Sequence, residues 1–559
     1  MNNGQALLEG MNDKQSEAVL TTEGPLLVMA GAGSGKTRVL THRVAYLIEE
    51  NGVLPWNILA ITFTNKAARE MKERVGKLLG ESANEIWVST FHALCVRILR
   101  RDIEKIGYNR AFTIADTSEQ RTLMKRICAE LNIDTKKFDP RSILSAISNA
   151  KNALLTPDDY SKEANSIFEN MVARAYKLYQ QELETNQALD FDDLIMKTIE
   201  LLESDQETLE FYQDKFHYIH VDEYQDTNDA QYRLVNLLAQ KYQNLCVVGD
   251  ADQSIYGWRG ANMNNILNFE HDYPQAKTVM LEQNYRSTQT ILNAANEVIA
   301  NNLYRKKKNL WTENGQGDKI SYYRAQNEHD EAQFIVSKIK EEQEKHGYHF
   351  NDFAILYRTN AQSRMVEETF LKSSIPYTMV GGHKFYDRRE IRDILAYLTL
   401  IVNPADSMSF ERVVNTPKRG IGLTSVEHLR NFANENGWTL LKAAQNVDTA
   451  SEITARTRNK IDEFGQLMAN LTKQAEYLTL TDLTEQILEL SGYNKMLSDD
   501  RSLEAQARRE NLDEFKSVTQ EYDEQHKDDD DPNLQKIINF LADLALSQIK
   551  MMLMNKHQL

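Results

Sequence analysis

The chain has 559 residues, of which 41% are hydrophobic and 26% charged, and its formal net charge is −17. At this length we expect about three or four domains rather than one core. The negative charge excludes a protein that coats nucleic acid through a generally basic surface. It leaves room for a local groove in which aromatic rings stack on bases and a few cations meet phosphates.

The sequence also predicts a cytoplasmic protein without a membrane partner. No apolar stretch is long enough to cross a bilayer, and residues 1–5 lack the basic and apolar regions of a signal peptide. Cys95, Cys128 and Cys246 are too scattered for a disulfide framework or a metal site. We expect them to be buried free thiols.

A glycine-rich turn stands between a predicted strand at residues 26–29 and a segment with helical periodicity at 38–44. The turn and the first helical residue are Ala30, Gly31, Ala32, Gly33, Ser34, Gly35, Lys36, Thr37 and Arg38. This order is typical of a phosphate-binding loop, in which backbone N–H groups and a helix N-terminus bind phosphates. We expect Lys36 to neutralise the β- and γ-phosphates of ATP and the Thr37 hydroxyl to bind Mg²⁺. Ala30 replaces the first glycine of the strict pattern, and a turn without a ligand is the alternative.

Two acidic residues follow a second strand candidate at residues 216–221. Adjacent carboxylates at the end of a strand suit a nucleotide site. Asp222 would hold Mg²⁺, and Glu223 would polarise the attacking water. An acidic loop without catalytic function is the alternative.

A third predicted strand, residues 245–249, leads to a polar residue and then to aromatic residues. We expect Gln253 to contact the γ-phosphate and to report its loss. Tyr256 and Trp258, with Arg259 beside them, would form a platform on which bases stack. The alternative is that both rings belong to the core.

These residues resemble the motifs of superfamily-one helicases of the UvrD/PcrA/Rep group. The resemblance implies that Gln15 reads adenine, that Tyr285 stacks on it and that Arg286 reaches the γ-phosphate. It further implies that Phe63 and Phe191 lie along the DNA strand and that Thr90 and His92 lie near its backbone. Without the resemblance, His92 or Phe191 would be interpreted as core or surface residues.

The spacing of the motifs predicts a RecA-like parallel-sheet domain with a helical insertion. The resemblance implies an α/β protein with tandem RecA-like P-loop motor domains and two helical insertions. The first motor domain would comprise residues 1–112 and 204–280, with a helical insertion at 113–203. Residues 281–379 would form the N-terminal part of an incomplete second motor domain, with a clear strand at Phe353–Tyr357. Residues 380–545 would form the second helical insertion.

Two basic segments outside the motifs are harder to assign. A turn at residues 417–422, with Lys418 and Arg419 before a helix, suits duplex phosphates, and a plain basic turn is equally compatible. The run Lys306-Lys307-Lys308 predicts a solvated surface, with contact to DNA as the alternative.

Residues 546–559 are unlike the acidic linker that the resemblance implies at this point. Reading the tail from the last base of each codon gives Asp at the Met551–Met552 junction and Glu at Met554–Asn555. We therefore expect a frameshift, in the gene or in its sequencing, that removed the two C-terminal motifs, including an arginine that reaches the γ-phosphate. Nucleotide sequence without downstream helicase motifs in any frame would refute this expectation.

The resemblance implies an ATP-dependent 3′-to-5′ DNA helicase, or single-stranded DNA translocase, acting in repair or replication. Its partners would be ATP with Mg²⁺, single-stranded DNA and single/double-strand junctions. The alternative is a non-catalytic fragment that binds ATP and DNA without productive unwinding.

Overall fold

The computed structural model describes residues 3–257, 260–303, 305–358, 362–379, 386, 388–500 and 502–555. Its strands are β1 Leu26–Ala30, β2 Ile58–Thr62, β3 Trp87–Thr90, β4 Thr113–Ile114, β5 Ala188–Leu189, β6 Tyr218–Val221, β7 Leu245–Gly249 and β8 Lys277–Leu281. Six of them form one parallel sheet in the order β3-β2-β6-β7-β1-β8, and β4 pairs with β5. In register, Leu26 of β1 lies opposite Cys246 of β7 and Lys277 of β8.

Helices cover both faces of the sheet. In the first part of the chain they are α1 Asn3–Leu8, α2 Asp13–Leu20, α3 Lys36–Glu49, α4 Asn65–Leu79 and α5 Phe91–Asp102. Leu27 and Met29 of β1 face the core that contains α5, whereas Leu26 and Val28 face the core that contains α3 and α4. Because side chains alternate along a strand, a sheet covered on both faces needs continuous apolar strands, and β1, β2 and β7 are buried at every position.

The first insertion is a helical unit with its own core. Its helices are α6 Thr117–Glu130, α7 Pro140–Asn152, α8 Pro157–Glu163 and α9 Ile167–Thr185. The chain then returns to the sheet through α10 Phe191–Ser204, α11 Gln206–Lys215, α12 Asp229–Ala239, α13 Asn264–Leu267 and α14 Phe269–Asp272. Apolar residues of α10, such as Leu194 and Leu202, belong to the core of the sheet rather than to that of the insertion.

We call residues 282–379 the segment after β8. Its α-helices, in the residues that the structure describes, are α15 Gln289–Ile299, α16 Glu328–His346 and α17 Ser363–Lys372. The predicted strand at Phe353–Tyr357 is wrong, because these residues are not assigned to a strand. A strand needs a hydrogen-bonded neighbour, and no described residue pairs with this stretch; Leu356 is 93% exposed.

The remaining helices form a second helical unit with one large core. They are α18 Arg389–Val402, α19 Ser407–Val413, α20 Leu423–Asn436, α21 Leu440–Ala444, α22 Ala455–Gln474, α23 Leu480–Leu490, α24 Tyr493–Asp499, α25 Leu503–Gln525 and α26 Asn533–Asn555. Helix α26 also contacts α5, and its Ala542 joins the core of the sheet. Within the described ranges, none of the helices combines the length and the apolar character that a membrane span requires.

Candidate nucleotide and DNA site

The glycine-rich turn after β1 leads directly into α3, which begins at Lys36. Gly33 and Gly35 have φ values of 65° and 87°, in the left-handed region that favours glycine. The Ser34 hydroxyl donates to the Gly31 carbonyl at 2.7 Å, which closes the turn. The arrangement points the N-terminus of α3 at the space above the turn, where a phosphate is favoured.

Lys36 and Glu223 meet at the end of the sheet although they lie far apart in the chain. The Lys36 ammonium donates to both carboxylate oxygens of Glu223, at 2.9 and 2.8 Å. The Lys36 side chain is 14% exposed and that of Glu223 is 37% exposed, so the pair lies at the mouth of the site. Glu223 has a φ of 51°, a conformation that is strained for a residue with a side chain and is frequent at functional sites.

Asp222 stands at the end of β6 and is 7% exposed. Burial, followed by the charge of Glu223, raises the pKa of Asp222 to about 6. One of its oxygens accepts the Glu223 N–H at 2.9 Å. The Asp222 carboxylate and the Thr37 hydroxyl are hard oxygen donors, the ligand chemistry that suits Mg²⁺.

Gln225 connects the two acidic strand ends. Its amide nitrogen donates to Glu223 at 2.9 Å, and its amide oxygen accepts the Asp250 N–H at 3.0 Å. The Asp250 carboxylate in turn accepts from the amide of Gln253 at 2.6 Å. Gln253 is thereby held beside β7, on the same edge of the sheet as Glu223.

Helix α2, which precedes β1, borders the site on one side. Gln15 is 2% exposed, and its amide donates to the Ser34 carbonyl at 2.9 Å while its oxygen accepts the Asn12 N–H at 3.1 Å. Asn12 also donates to the Tyr285 hydroxyl at 2.7 Å. The Tyr285 ring is 46% exposed, so its face remains accessible for stacking.

The segment after β8 closes the site from the other side. Asn284 donates to the Ala32 carbonyl at 2.6 Å and accepts the N–H of Arg286 at 2.9 Å. A Cβ atom on Gly33 would lie 2.8 Å from Cβ of Arg286, which places this exposed arginine against the phosphate loop. Arg38, by contrast, is directed to α1, where its guanidinium donates to the Glu9 carbonyl at 3.0 Å.

Three of the residues assigned to DNA by resemblance, Phe63, His92 and Phe191, lie in two aromatic pairs near the ends of β2 and β3. Phe63 packs edge-on against Phe91 with ring centroids 5.4 Å apart, and His92 packs edge-on against Phe191 at 6.3 Å. Burial lowers the pKa of His92 to about 4, so the imidazole is neutral at pH 7 and brings no positive charge to a phosphate. Thr90 caps α5, accepting the Ala93 N–H at 3.2 Å.

The proposed base platform after β7 is described in part. Tyr256 is half-buried. Trp258 and Arg259 lie outside the described residues, so the prediction for them stays a prediction.

The groups that follow β1, β2, β3, β6 and β7 lie along one edge of the sheet, because parallel strands end on the same side. The glycine-rich turn, Glu223 and Gln253 follow β1, β6 and β7, whereas Phe63 and His92, which belong to the aromatic pairs, follow β2 and β3. The edge thus places the predicted phosphate-binding turn beside the two aromatic pairs.

The prediction of a solvated surface for Lys306-Lys307-Lys308 is wrong for Lys308. Its side chain is 3% exposed and pairs with Asp250 and Asp252, while Lys306 pairs with Glu270 at 2.6 Å. The lysine run carries no sequence signal for the burial of Lys308, because Asp250 and Asp252 stand 58 and 56 residues earlier. Gln225 and Asn284 were missed as well, although both lie inside the motifs that the sequence singles out.

Arg419 in the second helical unit has a structural function. Its guanidinium donates to the Val413 carbonyl at 2.8 Å and to the Tyr397 hydroxyl at 2.6 Å. It also lies over the Phe464 ring, 5.1 Å from the centroid. These contacts favour the plain basic turn over a phosphate contact for Arg419. Lys418, by contrast, is exposed.

Comparison with known proteins decides the family. A sequence model of the UvrD/REP helicase N-terminal domain matches residues 11–274, and one of the UvrD-like helicase C-terminal domain matches residues 279–558. The chain belongs to the UvrD/REP helicase family. Three similar proteins carry the name ATP-dependent DNA helicase PcrA. The one from Leuconostoc citreum is 60% identical over 97% of this chain and 72% of its own length. The protein from Bacillus subtilis (strain 168) is 58% identical with the same two coverages, and that from Staphylococcus aureus (strain NCTC 8325 / PS 47) is 57% identical over 97% and 73%.

In this UvrD/REP helicase the residues predicted to bind the nucleotide come from both matched parts. Gln15, Lys36 and Glu223 come from the N-terminal part, and Tyr285 and Arg286 come from the C-terminal part. The contacts of Asn12 and Asn284 join the two parts at the phosphate loop.

Proposed function

We propose that this helicase hydrolyses ATP at the end of its parallel sheet and uses the reaction to move along single-stranded DNA from 3′ to 5′. The observation that carries the proposal is the contact of Lys36 with Glu223 beside the glycine-rich turn. A cation for the phosphates and a carboxylate for the attacking water are thereby within one hydrogen bond of each other.

The Lys36–Glu223 ion pair suggests how binding prepares the reaction. A triphosphate in the turn would compete for the Lys36 ammonium and so release Glu223. The freed carboxylate could then orient a water molecule and accept its proton. Bound Mg²⁺, held by Thr37 and Asp222, would supply positive charge that offsets the charge of the phosphates.

The other residues around the turn would recognise the nucleotide. Adenine would lie between α2, near Gln15, and the half-exposed ring of Tyr285. Gln253 and Arg286 would contact the γ-phosphate from opposite sides, one from each matched part of the chain. Loss of the γ-phosphate would remove both contacts. Hydrolysis would in this way change the relative position of the two matched parts of the chain.

Single-stranded DNA, including the unpaired arm of a single/double-strand junction, would lie across the ends of β2 and β3. Phe63 and Phe191 offer aromatic faces to bases, and stacking of this kind is tolerant of sequence. Because His92 is neutral, we assign it a hydrogen bond to the DNA backbone rather than an ion pair. Tyr256, with Trp258 and Arg259, would extend the platform.

A second candidate function is binding of ATP and DNA without turnover. It is favoured by the segment after β8, where Leu303 is 90% exposed and Leu356 is 93% exposed. Such apolar side chains usually pack within a sheet domain, and a loosely packed segment would hold Arg286 less firmly at the γ-phosphate.

The test is ATP hydrolysis by the purified chain with and without oligo(dT), together with binding of a fluorescent ATP analogue. We expect stimulation by oligo(dT) and a loss of about 10²–10⁴ in rate for Glu223→Gln with binding retained. Unwinding of a duplex with a 3′ tail, but not of one with a 5′ tail, would support the polarity. Binding without DNA-stimulated turnover would establish the second candidate, and absence of nucleotide binding would contradict both.

A further inference from the structure

A buried ion-pair cluster joins the segment after β8 to the end of β7. We call its members, Arg305, Lys308, Asp250 and Asp252, the Lys308 cluster. The Lys308 ammonium contacts Oδ1 of Asp250 and lies 2.5 Å from Oδ2 of Asp252, and Arg305 lies 2.8 Å from the same Asp252 oxygen. The exposed fractions of the side chains are 3% for Lys308, 2% for Asp250, 9% for Asp252 and 12% for Arg305.

The cluster shares Asp250 with the residue proposed to contact the γ-phosphate. Oδ2 of Asp250 accepts from Nε2 of Gln253 at 2.6 Å, whereas Oδ1 accepts from Lys308 and from the Asp252 N–H. Both carboxylate oxygens are therefore held, and the carboxylate cannot rotate without losing a partner. An amide nitrogen carries two hydrogens, so Gln253 keeps one for a phosphate oxygen while the other binds Asp250.

The same region is linked to the phosphate loop through a continuous hydrogen-bond path. The Asp250 N–H donates to Gln225, and Gln225 donates to Glu223. The Glu223 carboxylate also accepts a hydrogen bond from the Lys36 ammonium. A displacement of Asp250 would therefore reach both the γ-phosphate contact and the carboxylate assigned to the attacking water. Both carboxylate oxygens of Asp250 and both ends of the Gln225 amide are held by hydrogen bonds in this path, which limits their movement.

We propose that Lys308 is a positioning residue that acts through Asp250 to aim Gln253 at the γ-phosphate. The inference rests on the proposed function of Gln253. Lys308 belongs to the segment after β8, and Gln253 lies in the turn that follows β7. The γ-phosphate contact therefore forms correctly when this segment is docked through the Lys308 cluster. The cluster thus makes nucleotide recognition depend on the relative position of the two matched parts of the chain.

The test compares the affinities of the full chain for ATPγS and for ADP, both in the presence of Mg²⁺. Lys308→Met removes the charge at similar length, Lys308→Arg keeps it, and Lys307→Met changes the neighbouring exposed lysine as a control. We expect Lys308→Met to lower the preference for ATPγS over ADP by about tenfold, the loss expected for one hydrogen bond to a charged group. Lys308→Arg should recover part of the preference, and Lys307→Met should not change it.

If Lys308 only stabilised the fold, its replacement would not change the preference for ATPγS over ADP. Equal weakening of both nucleotides in Lys308→Met, or an unchanged preference in a folded variant, would overturn the inference. If Lys308→Met does not fold, the double variant Lys308→Met/Asp250→Asn removes one charge of each sign and leaves the Arg305–Asp252 pair. A wild-type preference in it would overturn the inference as well. Failure of the unmodified chain to bind either nucleotide would overturn the proposed function and this inference together. The results for the variants would overturn the inference alone, so the two failures can be told apart.

Discussion

Replacement of Lys151 by methionine would break a buried ion-pair cluster at the junction of the first insertion and the sheet. The Lys151 ammonium lies 2.7 Å from Asp190 and 2.8 Å from Asp193, and the three side chains are 0%, 5% and 2% exposed. Asp190 caps α10, whose first residue is Phe191, and also accepts from the Tyr179 hydroxyl at 3.0 Å. The variant would leave two buried carboxylates without their cation.

The magnitude follows from the geometry. At an effective dielectric constant of about 20, charges 2.7 Å apart attract by about 6 kcal/mol, and removal of the ions from water offsets most of this. Removing one partner of a buried pair while the other stays costs about 3–5 kcal/mol. Burial lowers the pKa of Lys151, but the charges of Asp190 and Asp193 raise it more, so the ammonium remains charged at neutral pH.

The assay is urea unfolding followed by far-ultraviolet circular dichroism, with Lys177→Met on the exposed side of α9 as the control. We expect the unfolding of Lys151→Met to begin at lower urea, with a loss of about 3–5 kcal/mol for the unit that contains the insertion. The control should change stability by less than about 0.5 kcal/mol. A loss below about 1 kcal/mol in Lys151→Met would refute the reasoning, because the carboxylates would then have found water or other donors.

Three further outcomes are expected. Burial, followed by the charge of Asp190, raises the pKa of Asp193 to about 6, which is above the value in the unfolded chain. The folded state therefore binds this proton more tightly than the unfolded state does. Relative to Asp193→Asn, the wild-type protein should therefore gain about 1 kcal/mol in urea unfolding as the pH falls from 7 to 5, and a relative loss would contradict this. Gly33→Ala should weaken ADP binding at least about tenfold, because it adds steric contacts to a left-handed backbone, whereas Gly24→Ala, with a similar φ and open space around it, should not; equal effects would show that the contacts are unimportant. Phe191→Ala should weaken oligo(dT) binding in fluorescence anisotropy by about 1–3 kcal/mol, and Phe211→Ala on α11 serves as the unaffected control; unchanged affinity would exclude stacking on Phe191.

The sequence determined the local elements of the site, because the signals for them are local. The apolar run at 26–29, the glycine-rich turn and the helical periodicity after it predict a strand, a turn and a helix, and the structure confirms β1 and α3. The strand at 245–249 is confirmed at both ends, and that at 216–221 begins two residues later, at Tyr218. The predicted fold class and family are confirmed as well.

Only the tertiary structure decided which of these elements meet and which charges are buried. Lys308 stands 58 residues from Asp250 and Lys151 stands 39 residues from Asp190, and no local pattern distinguishes them from solvated lysines. The stretch 353–357 has the composition of a strand, but a strand requires a neighbour that composition does not supply. Burial and pairing depend on the rest of the chain. The sheet brings the strand ends together, and only this arrangement shows the contacts of Gln225, Asn284 and the Lys308 cluster.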